Sequence, residues 1–149
     1  MRTVLFLRIA SVLTFIHAAL HTIGGVFGGA APGVQQATVA VMKANEFAAM
    51  GVTRSYWDFY MGLGLAGSVF MTVEAVVFWQ LGSLAKSDAL RLRPVLATFL
   101  VGYLGVAVVS YRYFFAGPVI TEILIALCLG LAITFASQVV GGVDRRAVA

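Results

Sequence analysis

Five side chains that can carry charge or bind a polar group lie in or beside apolar stretches of this sequence: His17, His21, Asp58, Arg112 and Glu122. An ionisable group costs roughly 2.5 to 3.5 kcal/mol at the centre of a membrane helix, so such groups usually face a bundle interior and mark a functional site. At about 1.5 Å per residue, all five are expected between the membrane midplane and its outer edge. The sequence therefore predicts a polar, outward-facing ligand-binding layer.

The simplest pairing in this layer joins Arg112 to Glu122 or to Asp58, with His21 hydrogen-bonded nearby. Arg112 and Glu122 stand five residues before and five after Gly117, so a tight antiparallel turn would bring them to one depth. Two interpretations stay open. The pair either locks helix packing, or it belongs to a ligand site in which Arg112 holds an anionic or carbonyl group and His21 transfers a proton.

Glu74 forms a separate case, because sixteen residues place it about 160° around the helix from Asp58. The two carboxyl groups cannot form one acid/base pair. No basic residue of the same depth is expected near Glu74, so the sequence predicts that it is neutral at pH 7 and hydrogen-bonded in the bundle. Proton or cation handling by Glu74 is the alternative.

His17 and His21 are spaced i and i+4, which places them on one helix face where they could ligate haem or a metal. No histidine on another span faces them, so haem would need a second copy of the chain or an axial methionine. A divalent metal would need Glu122 or Asp58 as a further ligand. The sequence accordingly assigns no metal site and leaves the cofactor unknown. Cys128 is the only cysteine, which excludes an intrachain disulfide.

The elements that position these residues are apolar and long. The chain of 149 residues is 61% hydrophobic and 11% charged, whereas soluble domains are about 25% charged. A spanning helix needs about 20 mostly apolar residues. The predicted fold is an all-α, integral membrane four-helix bundle in a single domain, residues 1–149, with spans at about 4–27, 57–81, 94–116 and 118–140.

The connection from Gly28 to Tyr56 contains apolar residues at helical spacing, which predicts a short helix that is either interfacial or solvated. Lys and Arg residues then set the orientation. Seven lie on the side of the termini and the 82–93 loop: Arg2, Arg8, Lys86, Arg91, Arg93, Arg145 and Arg146. Three lie on the other side: Lys43, Arg54 and Arg112. The positive-inside rule therefore predicts that both termini are cytoplasmic.

A resemblance to a family of small bacterial four-span membrane proteins with no assigned function is carried by three segments. These are HAALHTIGG at His17–Gly25, FAAMGVTRSYWDFYMGLGL at Phe47–Leu65 and YRYFFAGP at Tyr111–Pro118. In architecture the chain is more loosely similar to the DoxX-like membrane proteins, some of which are linked to quinone or redox systems. The resemblance implies a multi-pass protein of the bacterial cytoplasmic (inner) membrane and implies no activity.

The leading functional hypothesis is binding of a hydrophobic or amphipathic small molecule, such as a lipid, quinone or isoprenoid, in the outward-facing layer. One alternative is an accessory or structural subunit of a larger membrane complex. Another is a small proton-coupled transporter that works as a homo-oligomer through Glu74. The net charge of +4 is scattered over helix ends, which argues against a nucleic-acid partner, and whether the chain is an enzyme is left open.

Overall fold

The structure, a computed structural model, describes the backbone of residues 1–146 and the side chains of residues 1–136. The elements in chain order are α1 (Arg2–Leu20), a π-helical segment (His21–Val26), α2 (Val34–Ala44), β1 (Glu46–Ala49), β2 (Val52–Ser55), α3 (Tyr56–Asp88), a 3₁₀ turn (Leu90–Leu92), α4 (Arg93–Tyr113) and α5 (Ala116–Arg146). The one sheet in this part of the chain is a two-stranded hairpin. The predicted predominance of helix is confirmed.

Four helices are long and apolar enough to cross a membrane among the described residues: Arg2–Val26, Tyr56–Asp88, Leu90–Tyr113 and Ala116–Ala136. Their surfaces expose large apolar side chains, for example Phe15, Phe70 and Val101, each more than half exposed. Soluble monomers rarely expose apolar surface over a whole face of each helix. These are the features of a multi-pass membrane protein.

The second long helix extends past the predicted end at Leu81 and continues to Asp88. The segment LGSLAKSD contains one glycine and no proline, so nothing in it breaks a helix. After the helix ends, the Arg91 backbone N–H donates a hydrogen bond to Asp88 Oδ1 at 3.3 Å. Most of the predicted 82–93 loop is therefore helical, and the connection to α4 is a single short turn.

The predicted short helix of the first connection is present as α2, and a β-hairpin that the sequence analysis did not predict follows it. Phe47 pairs with Arg54, and Ala49 pairs with Val52. The two turn residues between the strands, Met50 and Gly51, both have positive φ, at 50° and 86°. Positive φ at both positions is the geometry of a type I′ turn, whose twist matches that of antiparallel strands.

The chain divides into two compact units. The first comprises Met1–His17 and the described chain from Thr72 onward, and the second comprises Ala18–Met71. The core of the first unit brings together side chains from α1, α3, α4 and α5, and its largest fully buried side chains are Leu7, Phe78, Leu96, Ile125 and Leu129. When helices associate in lipid, no water is displaced from between them, so the hydrophobic effect does not drive the association. Close packing of such side chains holds the helices together instead.

Candidate functional site

A row of three polar side chains crosses the core of the first unit. The Tyr103 hydroxyl donates to Glu74 Oε2 at 2.8 Å, and the oxygens of Tyr103 and Thr14 lie 3.3 Å apart. Thr14 itself donates to the Ala10 carbonyl at 2.9 Å. Thr14 is fully buried and Tyr103 is 8% exposed. Glu74 therefore has a hydrogen-bonding partner inside the bundle, as predicted, and the row joins α1, α3 and α4.

A second buried polar contact joins α4 to α5. The Ser110 hydroxyl donates to Glu122 Oε1 at 2.8 Å, and the two residues are 3% exposed. The other oxygen, Glu122 Oε2, is buried without a hydrogen-bonding partner among the described residues. Ser110 and Tyr103 share the buried face of α4 with Ala107, so both polar contacts originate from one stripe of that helix.

The predicted ion pair between Arg112 and Glu122 is wrong. Arg112 is exposed, and the one ion pair in the part of the chain with described side chains joins Arg91 to Asp88 at 2.9 Å. Arg112 follows Ser110 by two residues, which turns its side chain about 200° around α4 from the buried face. The chain turns at Phe114–Phe115, between the end of α4 and the start of α5 at Ala116, and not at Gly117. Arg112 and Glu122 are therefore at unequal distances from the turn as well as on different faces.

Arg8 packs against α3 within the first unit. Its guanidinium carbon lies 3.5 Å from the centre of the Trp79 ring, and its Nη2 donates to Ser83 Oγ at 2.8 Å. The Nη1 atom is buried without a partner in the described structure. A cation over a tryptophan face is attracted by the ring quadrupole, so this contact fixes α1 against α3.

His21 belongs to the second unit, where it opens the π-helical segment. Its Nε2 lies 3.0 Å from the Gly64 carbonyl oxygen. A Cβ on Gly64 would come within 3.0 Å of Val26, and one on Gly67 within 3.4 Å of His21 Nε2. The glycines of α3 thus allow the π-helical segment to approach closely, and the irregular turn directs His21 at the backbone of α3.

Asp58 has a local structural role at the start of α3. Its Oδ2 accepts from the Ser55 backbone N–H at 2.8 Å and from the Ser55 hydroxyl at 2.9 Å. The Asp58 N–H in turn bonds Ser55 Oγ at 3.1 Å. This reciprocal arrangement is a capping box. The S-x-x-D pattern at residues 55–58 is the sequence signal that could have predicted it.

His17, the remaining predicted ligand-binding residue, is half-buried on α1. No group of three His, Cys, Asp or Glu side chains able to hold a metal ion occurs among the described residues. His21, Asp58 and Glu122 each have a hydrogen-bonding partner within their own units, whereas Glu122 Oε2 has none among the described residues. Ligand binding by the five predicted residues stays a prediction.

Two open depressions lie along the seam between α4 and α5, and together they define the α4–α5 groove. One, of about 290 Å³, is lined by Leu100, Leu104, Ile123, Ala126, Leu127, Gly130 and Leu131. The other, of about 490 Å³, is lined by Leu90, Arg93, Pro94, Ala97 and Ile133. Lining residues recur every three or four positions on both helices, so the depressions follow one stripe of each. Arg93 is the only charged residue among the described side chains that line the groove.

Compared with known proteins, the chain matches no family model, no curated protein and no solved structure. Its function must therefore be argued from the contacts above.

Proposed function

We propose that this chain is an integral protein of the bacterial cytoplasmic membrane that binds a hydrophobic or amphipathic small molecule in the α4–α5 groove. The observation that carries the proposal is the apolar seam between α4 and α5, where one depression has a volume of about 290 Å³. Small-molecule sites are typically apolar clefts of roughly 300 to 1,000 Å³. The groove differs from the outward-facing layer expected from the sequence.

Two glycines give this proposal a matched test. Gly130 lines the groove, and a Cβ added there would meet nothing within 4 Å. Gly102 on α4 has the same open surroundings but does not line the groove. Gly130→Leu should therefore fill the groove without strain, whereas Gly102→Leu should leave it open.

The probe is a phosphatidylcholine that carries a photoactivatable diazirine on one acyl chain, added to the full chain in mild detergent. Labelling mapped by mass spectrometry should concentrate on the groove-lining segments of α4 and α5, and Gly130→Leu should reduce it at least severalfold. An excess of unlabelled quinone or isoprenoid alcohol would show whether these compete for the groove. Equal labelling in Gly130→Leu and Gly102→Leu would contradict the proposal.

A second candidate function, proton handling at Glu74, is supported by the row of hydroxyl groups. With Glu74 ionised, the hydrogens of Tyr103 and Thr14 go to Glu74 and to the Ala10 carbonyl, and no hydrogen lies between the two hydroxyl oxygens. With Glu74 protonated, Glu74 can donate to Tyr103, Tyr103 to Thr14, and Thr14 to Ala10. Every hydroxyl donor is paired in both forms, but only the protonated form places a hydrogen between the Tyr103 and Thr14 oxygens, so a proton added at Glu74 would reorient the whole row.

Proton handling predicts a functional loss without a structural one. Full-length protein in vesicles that enclose a pH-sensitive dye should pass protons down an imposed gradient, and Glu74→Gln should abolish this flux while leaving the protein folded. The matched variant is Tyr103→Phe, which removes the middle hydroxyl of the row and should also abolish it. Flux unchanged in both variants would exclude this second function.

A further inference from the structure

The α4–α5 groove ends at a positive charge that no other described group neutralises. Arg93 is the first residue of α4, it lines the larger of the two depressions, and it is exposed. Arg91, two residues earlier, is instead paired with Asp88 at 2.9 Å. The positive end of the α4 macrodipole lies at the same place. The apolar groove therefore ends at a guanidinium that has no partner among the described side chains.

The length of the groove limits what it can hold. From Arg93 to Leu104 the lining covers eleven residues of helix, or about 17 Å at 1.5 Å per residue. Half of the hydrocarbon core of a bilayer is about 15 Å thick. The groove thus matches the depth of one leaflet, as an acyl chain of a phospholipid in that leaflet requires.

The charge then selects the headgroup. A zwitterionic headgroup brings its own positive charge next to the guanidinium, whereas an anionic one brings only the phosphate and its negative charge. Arg forms short, bidentate hydrogen bonds with phosphate oxygens.

We propose that the ligand of the groove is an anionic phospholipid, with one acyl chain along the α4–α5 seam and its phosphate on Arg93. The inference rests on the proposed function, because it names the chemical class of the molecule that the groove binds. It adds a specific residue, Arg93, and a specific charge.

The experiment compares two photoactivatable phospholipids with identical acyl chains, one with a glycerol headgroup (anionic) and one with a choline headgroup (zwitterionic). Each is titrated against the wild-type chain, Arg93→Gln and Arg91→Gln in the same neutral detergent. The anionic probe should label the wild-type groove at lower concentration than the zwitterionic one. Arg93→Gln should raise the half-saturating concentration of the anionic probe about fivefold, the effect of one basic residue near an anionic lipid, and leave that of the zwitterionic probe unchanged.

Arg91→Gln is the matched control, since it removes an equal charge that is already paired with Asp88 and lies outside the groove lining. It should change neither titration. If both probes label the groove equally and Arg93→Gln has no effect, the anionic ligand is excluded while the proposed function stands. If Gly130→Leu also fails to reduce labelling by either probe, both proposals fall together.

Discussion

Glu122 depends on one neighbour for its place in the core. The carboxyl group is 3% exposed, one oxygen takes the Ser110 hydroxyl, and the other has no partner in the described structure. A buried polar group without any hydrogen bond is costly, because nothing replaces the water it has lost. The Ser110 hydroxyl is therefore the contact that makes burial of Glu122 tolerable.

Ser110→Ala should destabilise the protein by about 1 to 3 kcal/mol, the cost of leaving a buried acceptor unpaired. Arg112→Ala, at an exposed position, should change stability by no more than about 0.5 kcal/mol. Denaturant unfolding in mild detergent measures both. In a Glu122→Leu background the cost of Ser110→Ala should fall, since the acceptor is gone. A loss of stability in Arg112→Ala as large as the roughly 1 to 3 kcal/mol expected for Ser110→Ala would instead support the ion pair between Arg112 and Glu122 that was predicted from the sequence.

This site shows what spacing alone can predict at the residue scale. Depth along a helix follows from the distance to the turn, and the turn lies at Phe114–Phe115 instead of Gly117, so Glu122 meets Ser110 and not Arg112. The direction of a side chain around the helix axis depends on which face of the helix packs against its neighbour. On that point the prediction paired Glu122 with Arg112, whereas the structure pairs it with Ser110. A hydroxyl group carries no charge and stood out less in an apolar stretch than an arginine.

Glu74→Gln tests the state of the other core carboxyl group. The amide keeps an oxygen that can accept from Tyr103, so stability should change by less than about 1 kcal/mol if Glu74 is neutral in the native protein. Thermal unfolding in detergent gives the comparison, with Glu74→Leu as the variant that removes the hydrogen bond altogether and should cost more. A loss of about 3 to 5 kcal/mol in Glu74→Gln would indicate a buried charge with an ionic partner.

At the scale of elements, the long helices could be predicted because apolar runs of about 20 residues have few other structures available in lipid. The hairpin could not, since its strands are four residues each and its turn is Met50–Gly51 instead of the more typical Asn-Gly. Aromatic contacts stabilise it: the Phe47 ring lies 4.9 Å from Tyr56 and 5.2 Å from Phe59. These contacts join β1 to the start of α3 and are not visible in a linear pattern.

The glycines of α3 allow a prediction with an internal control. Gly62 and Gly64 lie in the same helix, and alanine is favoured over glycine inside a helix by about 1 kcal/mol. Gly62→Ala should be neutral or stabilising, because its Cβ would meet nothing within 4 Å. Gly64→Ala should destabilise the protein, since its Cβ would meet Val26 Cγ2 at 3.0 Å and would push away the segment that carries His21.

Thermal unfolding of both variants provides the measurement, and the difference between them is the quantity of interest because it cancels the gain in helix propensity. Gly64→Ala with Val26→Ala should recover most of the loss by removing the methyl groups that clash. Equal stability of the two single variants would mean that the π-helical segment does not rest on Gly64.

At the scale of the whole molecule, the same amino acids that define the helices also determine how they can sit in a bilayer. The four long helices expose apolar side chains over most of their length, a pattern typical of helices that cross a membrane. The basic residues, in contrast, concentrate in the connections and at the helix ends. Composition thus predicts a membrane protein directly, whereas orientation depends on a difference of a few charges.

Orientation is the last prediction. If each of the four long helices crosses the membrane, the N-terminus, the α3–α4 connection and the C-terminus share one side, and α2 with the hairpin lies on the other. Seven of the ten basic residues fall on the first side, which the positive-inside rule places in the cytoplasm. A reporter active only in the periplasm should therefore be inactive when fused after Ala149 and active when inserted between Met50 and Gly51 in the hairpin turn.

Replacing Lys86, Arg91 and Arg93 with Gln reduces the difference from seven against three to four against three, so this triple variant should give a mixed population in the same assay. Activity after Ala149 with none at the hairpin turn in the unaltered chain would reverse the assignment, and activity at both sites would mean that one of the four helices does not cross.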